Sequence, residues 1–311
     1  MANMRALILG EALIDVVIPQ SGETREIPGG SPANVALTLG RLGRKVELVT
    51  WLGADERGQA VKNHIEASHV EIHPDSFKAP HTSTAQATLD ASGAASYQFD
   101  LQWELPETKV DETVLVAHSG SIATTLEPGG TQVLETLRAA REFATVTYDP
   151  NARPSIMGDP EVAYERVLDL VKTADVVKVS DEDIDWFTAG VPFPQVAREW
   201  CELGASLVIV TRGGKGSAAY GKFGCLDYPA EDVTVVDTVG AGDSFMGAVI
   251  DALWSLDLLG AEKREALQNI TCEQVDFVME RARKVAAVTV SRAGANPPWA
   301  TELTSPVAAA D

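Results

Sequence analysis

Residues 237–245 read Asp237-Thr238-Val239-Gly240-Ala241-Gly242-Asp243-Ser244-Phe245, and three small residues stand at the centre of this stretch. The segment that follows, 245–254, has the apolar periodicity of one helix face. The first N–H groups of a helix have no partner within the helix, and the helix dipole adds partial positive charge there. Because small residues leave these groups accessible, we predict a phosphate-binding site at the start of this helix.

Asp243 has two interpretations at this point. A carboxylate repels a bound phosphate, so an acid in such a site favours a base that acts on a nucleophile beside the phosphate. Aspartate is also a frequent helix N-cap, and the stretch alone does not distinguish the two roles. Two other phosphate motifs are excluded, because Gly247 comes too late after Gly242 for a dinucleotide fingerprint and Gly216 breaks the order of a P-loop.

The composition excludes several classes of protein. The chain has 311 residues, and 45 acidic against 25 basic side chains give a net charge of −20, so we expect no nucleic acid or membrane partner. The three cysteines are far apart, which is typical of a reduced protein without a zinc site. Without a signal-peptide core or an 18-residue apolar run, we expect a cytoplasmic protein.

Apolar strands, such as the one predicted at 46–52, alternate with helical segments over most of the chain. This alternation predicts one α/β domain over residues 1–311, with a mostly parallel sheet that helices cover on both faces. Two other segments, at about 16–28 and 83–103, have polar alternation and a turn at Asp90–Gly93. We expect them to form a small separate sheet that acts as a lid.

Polar residues follow several predicted strands, at the sheet edge where α/β proteins bind ligands. Asp15, Asn34 and the 149–153 segment offer hydrogen-bonding groups for a polyhydroxylated ligand. Ser31 suits the N-cap of a helix, and Asn34 falls in the first turn of that helix. A solvent-exposed Asn is the alternative, but Asn is a mediocre helix former. The glycine-rich turn 211–216 suits a nucleotide.

The acidic run Asp181-Glu182-Asp183 has two interpretations of nearly equal weight. It could hold Mg²⁺, which prefers carboxylates and retains water, or it could be a solvated helix start.

Together these motifs resemble the ribokinase family of carbohydrate kinases, also called the PfkB family. The segments 29–36 and 53–58 are similar to its N-terminal signature, 211–216 to its nucleotide loop, and 237–243 very closely to its C-terminal signature. The segments 10–15, 119–121 and 149–153 are most similar to the fructokinase branch.

The resemblance implies a Rossmann-like three-layer α/β/α domain with a small β lid. It implies a kinase that uses ATP and Mg²⁺, with K⁺ as a further expected ion, and a homodimer formed through the lid. The family usually has an Asn-x-x-Glu motif where this chain has 180–183, so we expect Asp183 to act on the metal through water. The expected site residues are, for catalysis, Asp243 as base with Gly240, Ala241 and Gly242 in the anion hole; for the sugar, Asp15, Gly29, Gly30, Asn34, Asn151 and Arg153; for the nucleotide, Lys178, Thr211, Gly213, Gly216, Gly240 and Gly242; and for cations, Asp183 and Asp237.

Three functions stay open from the sequence. The first is a fructokinase that acts on a primary hydroxyl. The second is a kinase for another sugar, for a sugar acid such as 2-keto-3-deoxygluconate, or for a nucleoside, whose base the aromatic residues Tyr97, Phe99 and Trp103 could contact. The third is a non-catalytic sugar-binding regulator, which an intact Asp243 with its glycines disfavours.

Overall fold

A computed structural model describes residues 4–19, 22–89 and 95–304. The predicted turn at Asp90–Gly93 lies outside the described residues. The strands are β1 Arg5–Leu9, β2 Leu13–Ile18, β3 Arg25–Gly29, β4 Val46–Val49, β5 Val70–Ile72, β6 Thr84–Leu89, β7 Ala95–Asp100, β8 Val114–Gly120, β9 Thr145–Asp149, β10 Val176–Ser180, β11 Leu207–Thr211, β12 Ser217–Gly221 and β13 Gly224–Tyr228. The helices are α1 Ser31–Arg41, α2 Glu56–Glu66, α3 Gly129–Ala140, α4 Pro154–Met157, α5 Pro160–Val171, α6 Asp181–Thr188, α7 Phe193–Glu202, α8 Ala241–Ser255, α9 Arg264–Gln268, α10 Cys272–Val290 and α11 Ala300–Thr304.

The main sheet has nine strands in the order β13-β12-β11-β10-β9-β8-β1-β4-β5. All neighbours pair in parallel except β11 with β12 and β12 with β13. The mostly parallel sheet is therefore confirmed. The antiparallel strands β12 and β13 were not predicted, because 217–221 is short and rich in small residues and 224–228 is an edge strand with mostly exposed side chains.

Helices cover both faces of this sheet. On one face, apolar side chains of α1, α8 and α10 form a continuous core with the strands, as Leu37, Ile250 and Val278 illustrate. On the other face α3, α5 and α7 do the same, with Leu137 and Trp200 fully buried. This is the three-layer α/β/α arrangement that the resemblance implied. Within the described residues, every helix is too short or too polar to cross a bilayer.

The small sheet has four strands in the order β3-β2-β6-β7. Its outer pairs are antiparallel, and β2 pairs with β6 in parallel. The strand β2 begins at Leu13, earlier than predicted, because Ile14 and Val16 are buried in the main core. Asp15 therefore lies inside a strand of the small sheet rather than in a loop after β1.

One predicted strand boundary in the main sheet is wrong. The strand at 46–52 ends at Val49. Beyond it, Thr50 N–H donates to Ser76 Oγ at 3.1 Å and Leu52 N–H donates to the Ser76 carbonyl at 2.7 Å. Because a neighbouring loop satisfies these backbone donors, this apolar segment can stay buried after it has left the sheet.

Candidate active site

The start of α8 has the geometry expected of an anion site. Gly240 is the N-cap with φ of 73°, and a Cβ there would come within 2.5 Å of Ala295. Only glycine fits this position without strain. The Ala241 N–H donates to the Thr238 carbonyl at 3.2 Å, so it is already engaged. The N–H groups of Gly242 and Asp243 lie in the first turn, beyond the reach of helix carbonyls, and remain for an anion.

Asp243 is 6% exposed, and its carboxylate accepts hydrogen bonds from two other parts of the chain. One oxygen accepts from Ser31 Oγ at 2.7 Å and from Asn151 Nδ2 at 3.2 Å, and the other accepts from Asn34 Nδ2 at 2.8 Å. The N-cap interpretation of Asp243 is therefore wrong, because Gly240 holds that position. The carboxylate turns instead toward α1 and the loop after β9.

The start of α1 supplies two of these donors. The N-cap is Gly30, with φ of 113°, so Ser31 is not the cap that the sequence indicated. Ser31 and Asn34 are three residues apart and share one helix face, which lets both reach Asp243. Asn34 is buried, so the solvent-exposed alternative is also wrong. The spacing of Ser31 from Asn34 was the signal that could have identified Ser31 as a site residue.

A buried ion pair lies beside the start of α8. Lys178 Nζ on β10 donates to Asp149 Oδ2 on β9 at 2.7 Å. A Cβ on Gly242 would lie 2.8 Å from the same ammonium. Lys178 therefore adds positive charge next to the free amides of α8. Asp149 belongs to the 149–153 segment that the sequence assigned to a polyhydroxylated ligand, but its ion pair with Lys178 was not predicted.

The charges around this pair keep it ionised. Burial works against the charged lysine, but Asp149 and the nearby Asp243 and Asp183 outweigh it and raise the pKa of Lys178. Burial raises the pKa of Asp149 to about 6, although Lys178 opposes that shift. The ammonium is thus charged at neutral pH, which suits a group that faces phosphate.

Two carboxyl groups and one guanidinium form the side of the site near the small sheet. Asp15 lies against Gly29, and burial raises its pKa to about 6 while Arg153 acts to lower it. Glu11, which follows β1, accepts from the Ala123 N–H at 3.2 Å. Burial raises the pKa of Glu11 to about 7, against hydrogen bonds and the charge of Arg153. Nothing in the sequence distinguished Glu11 from the residues around it.

Arg153 is exposed at the mouth of this region. Its Nη1 donates to Asn151 Oδ1 at 2.7 Å and to the Ala152 carbonyl at 2.9 Å. These bonds hold the amide of Asn151, whose Nδ2 faces Asp243. The structure therefore joins the predicted residues Asn34, Asn151, Arg153 and Asp243 in one network.

The predicted nucleotide turn lies at the same sheet edge. Thr211 ends β11 and pairs with Ser180 of β10, one strand beyond the ion pair. Gly213 and Gly216 have φ of 51° and 91°, and a Cβ on Gly216 would overlap the Tyr228 carbonyl. In the part of the chain that the structure describes, no hydrogen bond joins this turn to the Asp243 network, so the two share only the same sheet edge.

The two predicted cation residues have structural contacts. Asp183 accepts from the N–H groups of Ala152 at 3.0 Å and Ser180 at 3.3 Å, and forms a capping box with Ser180 at the start of α6. Asp237 accepts from the N–H groups of Val239 at 3.0 Å and Gly294 at 2.8 Å. The residues in the described ranges contain no cluster of three or more metal-ligating side chains. The cation roles stay predictions.

Comparisons with known proteins agree with this geometry. The model of the pfkB family of carbohydrate kinases matches residues 4–302. The chain belongs to this family. A fructokinase of Rhizobium leguminosarum bv. trifolii is 33% identical over 266 residues, which cover 81% of each chain. A probable fructokinase-2 of Arabidopsis thaliana is 30% identical and covers 94% of this chain and 92% of its own.

A solved structure shows the same fold. The fructokinase from Xylella fastidiosa with bound ATP superposes with a TM-score of 0.81 at 25% identity, covering 97% of this chain and 98% of its own. The family and the ribokinase-like fold that the sequence predicted are therefore confirmed.

We expect Glu11→Gln to remove a pH dependence of stability. The folded-state pKa of about 7 lies above the ordinary value of 4.5, so between these values the folded chain binds a proton that the unfolded chain lacks. The stabilisation is complete below the unfolded pKa and is lost as pH rises through the folded one. The loss amounts to roughly 3 kcal/mol for a shift of this size.

Urea unfolding across this pH range measures the effect. The free energy of unfolding of the variant, minus that of the wild type, should increase with pH by that amount. Glu165→Gln, at an exposed position, is the control and should follow the wild-type curve. Parallel curves for Glu11→Gln and wild type would contradict the expectation.

Proposed function

We propose that this protein is an ATP-dependent kinase that transfers the γ-phosphate to a primary hydroxyl of a small neutral sugar, with fructose as the preferred acceptor. The kinase domain comprises residues 1–311, with the small sheet as its lid. The observation that carries the proposal is the Asp243 carboxylate, held at a helix start beside free amides and Lys178. The two relatives and the ATP-bound structure support the choice of ATP and fructose.

The reaction follows from these positions. The acceptor hydroxyl lies against Asp243, which takes its proton as the oxygen attacks the γ-phosphorus. The bond from the γ-phosphorus to its bridging oxygen breaks, and ADP leaves. The amides of Gly242 and Asp243, with Lys178, meet the negative charge on the transferring group. Ser31 and Asn34 orient the carboxylate, so little motion is needed at the moment of transfer.

Mg²⁺ enters this reaction as part of the substrate, as its complex with ATP. Both oxygens of Asp183 already accept backbone N–H groups, so direct coordination would break a helix cap. We propose that Asp183 acts on the metal through water, as Mg²⁺ usually keeps several of its waters. Asp237 shapes the loop before α8, where a monovalent cation such as K⁺ would bind.

The charge of the sugar pocket favours a neutral acceptor. Asp15 and Glu11 face a single guanidinium, Arg153, which influences both. A sugar acid would add a further acidic group beside Asp15, Glu11 and Asp243, at an electrostatic cost that a neutral sugar avoids. Asp15 is suited to accept hydrogen bonds from sugar hydroxyls. This balance disfavours 2-keto-3-deoxygluconate.

One of the three aromatic residues that could contact a nucleoside base is not available for that contact. Trp103 is 4% exposed, and its Nε1 donates to the Ala123 carbonyl at 2.8 Å, so it packs in the core. Tyr97 and Phe99 stack on each other, with ring centroids 6.1 Å apart.

A non-catalytic regulator would not need Asp243, Lys178 and the free amides together.

A panel of acceptors tests the proposed substrate. We expect ATP-dependent phosphorylation of fructose with a kcat/KM at least about tenfold above that for 2-keto-3-deoxygluconate or a nucleoside, because each 1.4 kcal/mol of preference gives a factor of ten. ADP release, coupled to a spectroscopic readout, measures the rate. Turnover of the sugar acid above that of fructose would refute the neutral-acceptor argument, and turnover of no acceptor would favour the regulator.

Asp243→Asn should lower kcat by about 10²–10⁴-fold, the usual effect of removing a general base, while the sugar Kd changes by only a few-fold. Steady-state kinetics and calorimetric titration with fructose measure the two quantities. Ser31→Ala is the matched control, since it removes the 2.7 Å hydrogen bond and leaves the base, and it should lose much less. Near-normal turnover of Asp243→Asn would exclude the proposed base.

We propose further that a second copy of this chain covers one face of the lid. Cross-strand pairing places Ile27, Asp15, Ala85 and Phe99 in one row, and Tyr97 lies on the same face. The opposite face packs on the core through Ile14 and Val16. Ile27 is 45% and Tyr97 64% exposed, so an apolar surface adjoins the sugar site.

Tyr97→Arg should break this dimer, because a charge in an apolar interface loses its hydration. Light scattering should give twice the 33.1 kDa chain mass for wild type and a single chain for the variant. Gln98→Arg is the matched control, since successive strand residues point to opposite faces, and it should remain dimeric. A wild-type mass of one chain would end the dimer proposal.

A further inference from the structure

The loop that begins α8 rests on the C-terminal part of the chain. We call residues 292–304 the C-terminal strap. Ahead of it, the Val290 carbonyl accepts the N–H groups of Val236 at 2.8 Å and Asp237 at 3.2 Å. In the strap, Gly294 N–H donates to Asp237 Oδ2 at 2.8 Å, and Ala295 lies against Gly240. The position of the strap therefore sets the position of the anion-binding turn.

Arg41, at the end of α1, holds the strap in place. Its Nη1 donates to Asn296 Oδ1 at 2.6 Å and to the Pro297 carbonyl at 2.7 Å. Its Nε donates to Ser68 Oγ at 3.1 Å, and its guanidinium lies 5.3 Å from the ring centroid of Trp299. One side chain thus bonds to the strap and to the segment after α2, and it stacks on an aromatic ring.

The strap closes on itself beyond this contact. Arg292 Nη2 donates to Glu302 Oε1 at 2.5 Å, and Trp299 N–H donates to Glu302 Oε2 at 2.7 Å. His69 meets the Trp299 ring edge-on, with centroids 5.4 Å apart. The strap is therefore a folded unit with a defined attachment to α1, rather than an extended tail.

Through this attachment, helix α1 contacts both the Asp243 carboxylate and the strap that supports Gly240. The first turn of α1 orients the Asp243 carboxylate through Ser31 and Asn34, and its last residue, Arg41, fixes the strap that supports Gly240. Asp243 is three residues after Gly240 in the same turn. Its carboxylate and its amide are thus positioned from opposite ends of one helix.

We propose that Arg41 is a positioning residue for phosphoryl transfer, acting through the C-terminal strap to hold the amides of Gly242 and Asp243 where charge develops on the phosphate. The inference rests on the proposed function. The contacts of Arg41 are with the strap and Ser68, and the hydrogen-bond donors to Asp243 are other residues. It makes the strap a part of the active-site support that the sequence motifs do not include.

Arg41→Met tests this, because it keeps much of the apolar stem and removes the guanidinium. We expect kcat to fall about tenfold to a hundredfold, since a small displacement of a positioned group can cost about 10²-fold. The sugar KM should change by less than about threefold, because no sugar contact is removed. In hydrogen–deuterium exchange, the peptide spanning 236–244 should exchange faster while peptides from β8 and β9 stay unchanged.

Arg166→Met is the matched control. Arg166 is likewise a partly buried arginine with side-chain partners, Glu127 and Thr131, and it lies in α5 on the other face of the sheet. It should keep the wild-type kcat and the wild-type exchange of 236–244. Should Arg41→Met fail to fold, Asn296→Ala removes the 2.6 Å contact alone and is judged by the same two readouts.

Two results would overturn the proposal. One is a wild-type kcat in Arg41→Met with unchanged exchange of 236–244. The other is faster exchange over the whole chain, which would make Arg41 a residue of general stability. Failure of the proposed function is separate, because it appears as full turnover in Asp243→Asn. The exchange of 236–244 in Arg41→Met still decides the role of the strap in that case.

Discussion

The candidate site depends on one buried carboxylate that is satisfied by donors from distant parts of the chain. Ser31 and Asn34 are more than 200 residues from Asp243 in sequence, and Asn151 is 92 residues away. A hydrogen bond to a charged group is worth about 1.5–3 kcal/mol, and an unpartnered buried charge costs more than that. The sheet, α1 and α8 must therefore be assembled before this carboxylate is stable. The close approach of the two helices, where a Cβ on Gly247 would lie 2.8 Å from Thr38, permits the assembly.

The sequence predicted what is local and failed where contacts are distant. The role of the glycines at 240–242 follows from backbone conformation at a helix start, and the alternation of strands and helices follows from apolar periodicity. Neither prediction requires knowledge of contacts with distant residues. Ser31 was taken for a cap because a serine before a helix usually is one. Its actual partner is 212 residues away. Glu11, the pairing of Asp149 with Lys178 and the Arg41 attachment were missed for the same reason, since each depends on a residue on another element.

The electrostatics of the site differ from those of the whole molecule. The chain carries a net charge of −20, and the site contains several carboxyl groups, yet it is proposed to bind the phosphates of ATP. Lys178 remains charged because Asp149 compensates it, and a buried pair of this kind seldom adds net stability. Its position beside Gly242 gives the pair a role at the anion site rather than in stability. A fixed cation and two free amides create a local positive potential that the acidic surface does not cancel at such short range.

The candidate site is divided between two sheets, and this division explains how a bound sugar could close the proposed lid. Asp15 and Gly29 belong to the small sheet, whereas Asn34, Asn151 and Asp243 belong to the main body. A sugar that contacts both groups holds the lid against the body, which excludes bulk water from the γ-phosphate. A water molecule is too small to contact Asp15 and Asp243 together. In the proposed reaction, water therefore does not supply the binding energy for closure, and we expect transfer to sugar to be favoured over hydrolysis of ATP.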